Sequence, residues 1–350
     1  MTTNTHSDPG ATLTEVVLPG VVEPDGLVIH HRPVPTPAKG QALMQMLATG
    51  VSFAENAMRR NRYPGQPKFP FVPGYDLVGT VTAVGPDVDP TLVGQRVAAV
   101  TKTGGWSTHL LIDARSLVPV PETIDPADIE AVLVNGITAW QMLHRAARVR
   151  RGQTILVHGA SGGVGMILVQ LARQAGIRVI GTGSPRNHAT LRQIGVEPLD
   201  YRDPNLVERV RELAPDGVDA VFDNIDSSSF KRSFSQLNRG GALIAYGTAS
   251  QLDDTNNIIL TFLGILTRFG LWSLLPNVRR ATFYDFWGGK ITRSKRFRDR
   301  LASDLTHVLQ MVADGTVTTH IAARLPLAEA SKALSLAGSG TVSGKVVLTP

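Results

Sequence analysis

At 350 residues the chain is long enough for about two domains, and 43% hydrophobic with 18% charged residues is the composition of a globular protein. It contains no cysteine, which excludes disulfides, thiolate catalysis and cysteine-ligated zinc. The formal net charge of +6 suits phosphorylated cofactors and acidic partners as well as nucleic acid, but the basic cluster Arg293, Lys295, Arg296, Arg298 and Arg300 lacks interleaved aromatics and reads as a solvated helix face. No nucleic-acid partner is expected.

The first residues, MTTNTHSDPGATLT, lack the basic start and apolar core of a signal peptide and read as a short polar tail. The absent cysteines are compatible with a reducing cytoplasm, where the protein is expected. From about residue 12 to 125, short runs such as ALMQMLATGV, LVGTVTAVG, GQRVAAV and HLLIDARSLVPV are separated by the turn signals PGYD, GPDVDP and TGGW. They predict an antiparallel, partly open β-barrel. The texture changes at about 126, where PADIEAVLVNGITAWQMLHRAARV has helical spacing, Asp125 as a cap and Pro126 at the first helical position.

Strands and helices then alternate: ILVHG, VGMILVQLARQAG, RVIGTG, NHATLRQIG, DAVFDN, SSFKRSFSQLN and GALIAYG. Short, uniformly apolar strands between amphipathic helices predict an α/β fold with a doubly wound parallel sheet. The apolar run IILTFLGILTRFGLWSLL at 258–275 is interrupted by Arg268 and two glycines. It is expected to form a buried dimer edge or a substrate-pocket wall, not a membrane span. After a helix at about 297–314 the chain returns to short strands ending in SGKVVLTP. The expected organisation is therefore a β-barrel domain from residues 1–125 and 293–350, with 126–292 inserted as the nucleotide-binding domain.

The stretch ILVHGASGGVG carries the first chemical signal. Ala160-x-Gly162-x-x-Gly165 follows a strand and opens a helix, the context that gives a dinucleotide fingerprint its meaning. Backbone at Ala160, Ser161, Gly162, Gly163, Val164 and Gly165 can approach a pyrophosphate held at the helix N-terminus. An NAD site places an acid at the end of the next strand. Here that strand ends Thr182-Gly183-Ser184-Pro185-Arg186, and no acid occurs before Glu197. Ser184, Arg186 and, farther on, Tyr201 are donors suited to a 2′-phosphate, with Thr182 and Gly183 beside them as further cofactor-binding candidates, so NADPH is expected over NADH. An ordinary surface arginine is the alternative for Arg186.

The segments GVSFAENAMRRNRYPG, FPFVPGYDLVGTVTAVG, VGQRVAA, NGITAWQML, VHGASGGVGM and SGKVVL, in this order, resemble the medium-chain dehydrogenase/reductases, in particular their zinc-independent quinone oxidoreductase and enoyl reductase branch. The resemblance runs from about residue 14 to the end, strongest over 48–185 and weakest over 252–295. It implies a GroES-like catalytic domain, a Rossmann cofactor-binding domain, NADPH in the cleft between them, and dimers that pair through Rossmann sheet edges. Zinc-dependent relatives carry cysteine then histidine where this chain has Ser52 and Phe53, and His-Glu where it has Tyr75-Asp76. The ligands zinc prefers are missing from these positions, and no metal is expected.

Without a metal, hydride transfer suits an alkene conjugated to a carbonyl, or a quinone. By similarity to polyketide enoyl reductases Tyr63, in RNRYPG, is a proton donor or, alternatively, a pocket-lining residue. Ser52 stands where related quinone reductases often carry asparagine, and is a candidate to hold the nicotinamide ribose or the substrate oxygen. The resemblance places Asn135 and Thr138 beside the nicotinamide, with helix capping and packing as the alternative. Asn224, Gly247 and Thr248 end strands and should border the cofactor. Lys345 resembles a late cofactor-side residue, or is a solvated lysine. The function expected is reduction of an α,β-unsaturated carbonyl on a small hydrophobic substrate by a homodimer. Quinone reduction is the alternative, and a non-catalytic nucleotide-binding or membrane-associated scaffold is one of another class.

The missing acid generates a test: Arg186→Ala should weaken NADPH far more than NADH in equilibrium binding. Equal affinities for the two nucleotides before and after the substitution would remove the 2′-phosphate assignment.

Overall fold

Turn residues cut the N-terminal third of the chain into short strands, as its sequence predicts. The computed structural model describes residues 11–247 and 258–350. The chain divides into two units. One runs up to Val134 and adds Ser294–Ala313 and Thr319–Pro350; the other holds Asn135–Arg293 and Asp314–Thr318.

In the first unit β1 (Thr12–Val17) pairs antiparallel with β2 (Val28–Pro33). The spine is β3 (Gln41–Val51), antiparallel to β4 (Asp76–Val84), which in turn pairs with β5 (Arg96–Val100). β6 (His109–Asp113) pairs with β3, and β7 (Val118–Pro119) with β5. The end of the chain completes this sheet, because Lys345–Thr349 pairs with β3 (Val346 opposite Val51) and Ile321–Pro326 lies parallel beside it. Met44, Met46, Leu77, Val97, Val346 and Trp106 form its core, and Trp106 satisfies its indole N–H on the Gly50 carbonyl at 2.9 Å. In PGYD, Gly74 has φ +101°, and a Cβ there would lie 2.7 Å from Gly105 Cα. Only glycine fits this turn.

Two helices of this region matter for the site. α1 (Phe53–Arg59) follows β3 directly. α2 (Pro126–Trp140) starts at the expected proline, with Asp125 Oδ1 accepting the Ala127 N–H at 2.8 Å.

The second unit holds β8 (Thr154–Val157), α3 (Gly163–Gln174), β9 (Arg178–Gly183), α4 (His188–Gln193) and β10 (Glu197–Asp200). Then come α5 (Leu206–Leu213), which lies outside the expected alternation, β11 (Val218–Asp223), α6 (Ser229–Ser235), β12 (Leu237–Ala245), α7 (Ile258–Ser273) and β13 (Arg280–Phe283). All six strands are parallel, in the order β10-β9-β8-β11-β12-β13. This is the doubly wound order, and the sequence of strands reverses direction at β8 and β11.

The apolar run folds as α7. Its Ile265 and Phe269 are buried, and Phe269 packs 5.5 Å from Phe230. Leu260, at 67% exposure, faces outward with Leu263, Leu266 and Leu271. Among the described residues no helix is long and apolar enough to cross a membrane. Thr248 lies outside the described residues.

Candidate functional site

The glycine loop sits at the carboxyl end of β8, where the parallel order turns. Gly162 caps α3, and the amides of the first helical turn have no partner within the helix. Close approach explains the glycines. A Cβ on Gly165 would lie 2.9 Å from Ala160 Cα, and one on Gly163 would lie 2.8 Å from Asn135 Nδ2. Gly159 is left-handed at φ +65°, and the Asn224 amide lies 3.2 Å from where its Cβ would be. Gly247 is equally close to Asn224, at 3.4 Å. Asn135, Asn224 and Gly247 are thus brought to the loop, with Thr138 one turn along α2 from Asn135 and buried. Ala160 is fully buried and packs under the loop. Such a cradle, narrow enough to exclude side chains and opened by a helix N-terminus, fits a dinucleotide pyrophosphate.

A second group of donors gathers at the ends of β9 and β10, where Gly183 is paired with Asp200. Ser184 follows β9 and leads into a single helical turn, Pro185–Asn187, that carries Arg186 exposed. Tyr201 is 52% exposed, and its amide donates to the Gly183 carbonyl at 3.4 Å. Ser161 Oγ accepts from Asn187 Nδ2 at 3.0 Å and so ties the glycine loop to this edge. Arg202, which sequence reasoning missed, lays its guanidinium 5.2 Å from the Tyr201 ring centroid. The signal was its place beside the tyrosine in LDYRD. Thr182, by contrast, is fully buried, with its hydroxyl turned toward His158 and the Gly159 amide.

In the first unit, Tyr63 Oη donates to Tyr75 Oη at 2.9 Å, and the two rings meet edge to face. Tyr75 is buried. Lys102 has a left-handed backbone at φ 78° and donates to the Gly65 carbonyl at 2.9 Å, which places its ammonium 5.5 Å from the Tyr63 ring centroid. Sequence reasoning treated Tyr75 only as a missing zinc ligand; its pairing with Tyr63 depends on a turn that no local pattern encodes.

Ser52 is engaged otherwise than its position alone suggests. It is the N-cap of α1, in a capping box with Glu55. Its hydroxyl donates to Glu55 Oε2 at 2.5 Å and accepts from the Ala54 amide at 3.2 Å. The S-x-x-E spacing was available in the sequence as the signal for this cap.

Lys345 is 6% exposed and lies in a buried charge cluster with Glu55, Asp76 and Glu130. Its Nζ is 3.1 Å from Glu130 Oε1, an ion pair rather than a well-aimed hydrogen bond. Three carboxyl groups share one ammonium. Burial pushes the Glu130 carboxyl well up, with Lys345 opposing and Asp76 reinforcing the shift. Burial likewise raises Glu55 and Asp76, both opposed by Lys345. The pressure shows at Gly50, where any Cβ would collide with Glu130 Oε1 and the Lys345 side chain. Among the described residues no three His, Asp or Glu side chains are placed to hold a metal ion.

With this geometry in hand, comparison with known proteins is informative. Residues 38–122 match the alcohol dehydrogenase GroES-like domain, and residues 195–348 match the zinc-binding dehydrogenase family. The synaptic vesicle membrane protein VAT-1 homolog of Rattus norvegicus is 29% identical over 340 residues, 96% of this chain and 83% of that protein. The phthioceranic/hydroxyphthioceranic acid synthase of Mycobacterium tuberculosis is 31% identical over 98% of this chain, which spans only 15% of the synthase. A solved mycobacterial protein complexed with NADPH is 28% identical, with TM-score 0.82 over 97% of this chain and 100% of its own. Escherichia coli quinone oxidoreductase complexed with NADPH is 25% identical, with TM-score 0.84 over 96% of this chain and 100% of its own. A GroES-like unit and a six-stranded Rossmann unit together define the medium-chain dehydrogenase/reductases. The chain belongs to this family, in its quinone oxidoreductase and enoyl reductase branch.

The buried cluster generates a stability test. Carboxyl groups raised in the folded state favour folding while protonated, and that contribution is lost as the pH climbs from the ordinary glutamate value of 4.5 through the raised ones. Glu130→Gln should therefore flatten the fall in thermal midpoint between acid and alkaline pH. Lys345→Met leaves the carboxylates without their cation and should cost about 3–5 kcal/mol in denaturant unfolding. Adding Glu130→Gln to it should recover part of that loss; simple additivity would show that the two groups are not coupled.

Proposed function

We propose that the chain reduces an α,β-unsaturated carbonyl at the expense of NADPH, without zinc, and that Tyr63 supplies the proton. It is an NADPH-dependent oxidoreductase of the family just named; the acceptor and the proton donor are the proposal. Backbone at 160–165 would hold the pyrophosphate. Ser184, Arg186, Tyr201 and Arg202 would hold the 2′-phosphate, and Asn135, Thr138, Asn224 and Gly247 would border the remainder. Bound there, NADPH supplies the hydride.

The observation that carries the proposal is the hydroxyl pair Tyr63–Tyr75, 2.9 Å apart, at the turn where zinc-dependent relatives are expected to hold a ligand. Hydride addition to the β-carbon drives negative charge onto the carbonyl oxygen. A phenol can donate a hydrogen bond or a proton to that charge. To give its proton to the substrate, Tyr63 must release the bond it donates to Tyr75; the Tyr75 hydroxyl can then turn and donate to the resulting phenolate, near which Lys102 brings positive charge. Ser52 has committed its one proton to Glu55, so its contribution is to fix α1 and to offer a lone pair. The donor set speaks against zinc: a capping hydroxyl and a paired neutral phenol replace the thiolate and imidazole that the ion prefers.

The 31% identity to part of an acid synthase supports an acyl-type acceptor, of which an enoyl group is the reducible form, and likeness to E. coli quinone oxidoreductase favours quinones as the second reading. A homodimer is supported by β13, which ends the sheet, and by the exposed leucines of α7, whose Phe262 packs 4.7 Å from Phe283 on that strand. Sedimentation of the full chain should give twice its mass; a monomer at micromolar concentration would remove the dimer.

NADPH oxidation measured with enones, enoyl thioesters and quinones separates the acceptors, and chelators should leave turnover unchanged. Tyr63→Phe should lower kcat on the preferred enone about a hundredfold with NADPH affinity intact. Full activity in that variant would take the proton donation away from Tyr63. Tight NADPH binding with turnover of no acceptor class would replace the enzyme by a binding scaffold.

A further inference from the structure

The strand ends beneath the glycine loop are joined by buried side chains that none of the roles above uses. His158, between β8 and the loop, is 3% exposed. Its Nε2 lies 3.2 Å from Ser233 Oγ on α6, and its Nδ1 lies 3.1 Å from Thr182 Oγ1 on β9. Ser233 Oγ donates to Asp223 Oδ2, at the end of β11, at 2.6 Å. Asp223 also accepts from Ser229 Oγ at 2.8 Å and from the Ile225 amide at 2.9 Å. At the opposite end the Gly159 amide donates to Thr182 Oγ1 at 3.3 Å, and the Ala160 amide donates to the Thr182 carbonyl at 2.9 Å.

Counting donors gives this chain of bonds one direction. A hydroxyl has a single proton. That of Ser233 goes to Asp223, so its oxygen accepts from His158, and Nε2 carries the hydrogen. A neutral ring then presents a bare Nδ1, which accepts the proton of Thr182. The Thr182 oxygen is left to accept the Gly159 amide. Burial pushes the His158 imidazole toward the neutral form; the Asp223 charge opposes this and Arg232 reinforces it. Each bond polarises the next, and reversing any one leaves a buried donor or acceptor without a partner.

We propose that His158 is a positioning residue for the cofactor loop: as the Nε2–H tautomer it links the Asp223 carboxylate through Thr182 to the Gly159 amide, and thereby fixes where the loop departs from β8. This rests on the reading that the loop carries the pyrophosphate. The left-handed Gly159 is the hinge of that departure, and its amide is the first group the chain of bonds holds. His158 touches neither substrate nor cofactor in this assignment; it acts through Thr182.

Two measurements on the full chain test it. Nitrogen-15 spectra of labelled histidine, with His158 assigned by its loss in His158→Gln, should show the Nε2–H tautomer at neutral pH. An Nδ1–H tautomer or an imidazolium overturns the proposal. Thr182→Val keeps the shape and loses the hydroxyl, so NADP+ affinity should drop about tenfold, while Thr182→Ser should stay within about twofold of the unaltered chain. Equal affinities in the two variants overturn the coupling. Should Thr182→Val fail to fold, Ser233→Ala takes its place: losing the acceptor of Nε2–H should shift the ring toward Nδ1–H, and an unchanged tautomer overturns the chain of bonds. An unaltered protein that binds no NADP+ yet shows the Nε2–H tautomer sinks the cofactor reading and leaves the network standing. Binding with the wrong tautomer does the reverse.

Discussion

Six parallel strands must all end at the same edge, and the second unit is organised by that constraint. Each strand leaves the sheet through a loop there, so loops distant in sequence become neighbours. The glycine loop after β8, the Ser184–Arg186 turn after β9, Tyr201 after β10, Asn224 after β11 and Gly247 after β12 are collected in this way. The strand reversal at β8 and β11 opens a crevice of the kind in which doubly wound sheets bind dinucleotides. The buried bonds among His158, Thr182, Ser233 and Asp223 stitch three of those strand ends and α6 into one rigid floor.

The first unit solves a different problem. Its sheet is completed by the last strand of the chain, and that strand brings a lysine into the interior. One ammonium then serves three carboxyl groups from α1, β4 and α2, so elements far apart in sequence share a single electrostatic tie. Such a tie is a poor source of net stability, because desolvation offsets most of the attraction. It is an effective source of specificity, since a misplaced C-terminal strand leaves buried carboxylates with nothing to balance them. Tyr75 stands on the turn that leads into β4, next to one of those carboxyls, Asp76, and is met there by Tyr63 from the loop after α1.

Much of the fold was legible because the relevant physics is local. Asp125-Pro126 announced the start of α2, and helix α3 opened where strand, glycines and apolar spacing met. The glycine loop and the missing acid after β9 were legible for the same reason: both are short-range patterns with a chemical meaning. What stayed hidden depended on contacts across the sequence. Nothing around Lys345 signals that Glu130 will lie against it, and nothing in PGYD signals that Tyr75 will meet Tyr63. The Ser52 cap was different. Its S-x-x-E spacing stood in plain view, but the resemblance to quinone reductases with asparagine there drew attention to the nicotinamide ribose and the substrate rather than to the helix it begins.

Gly50 shows how far that electrostatic tie reaches. It lies on β3 with Glu130 and Lys345 filling the space where a side chain would stand, while its carbonyl receives the Trp106 indole. A methyl group at position 50 would therefore require the ends of the Glu130 and Lys345 side chains to move aside and the ion pair to be remade. The pair, in turn, is sized to a vacancy that only glycine leaves. Changes at these three positions are therefore coupled: a side chain at 50 displaces the ion pair, and removing the pair opens the space beside Gly50.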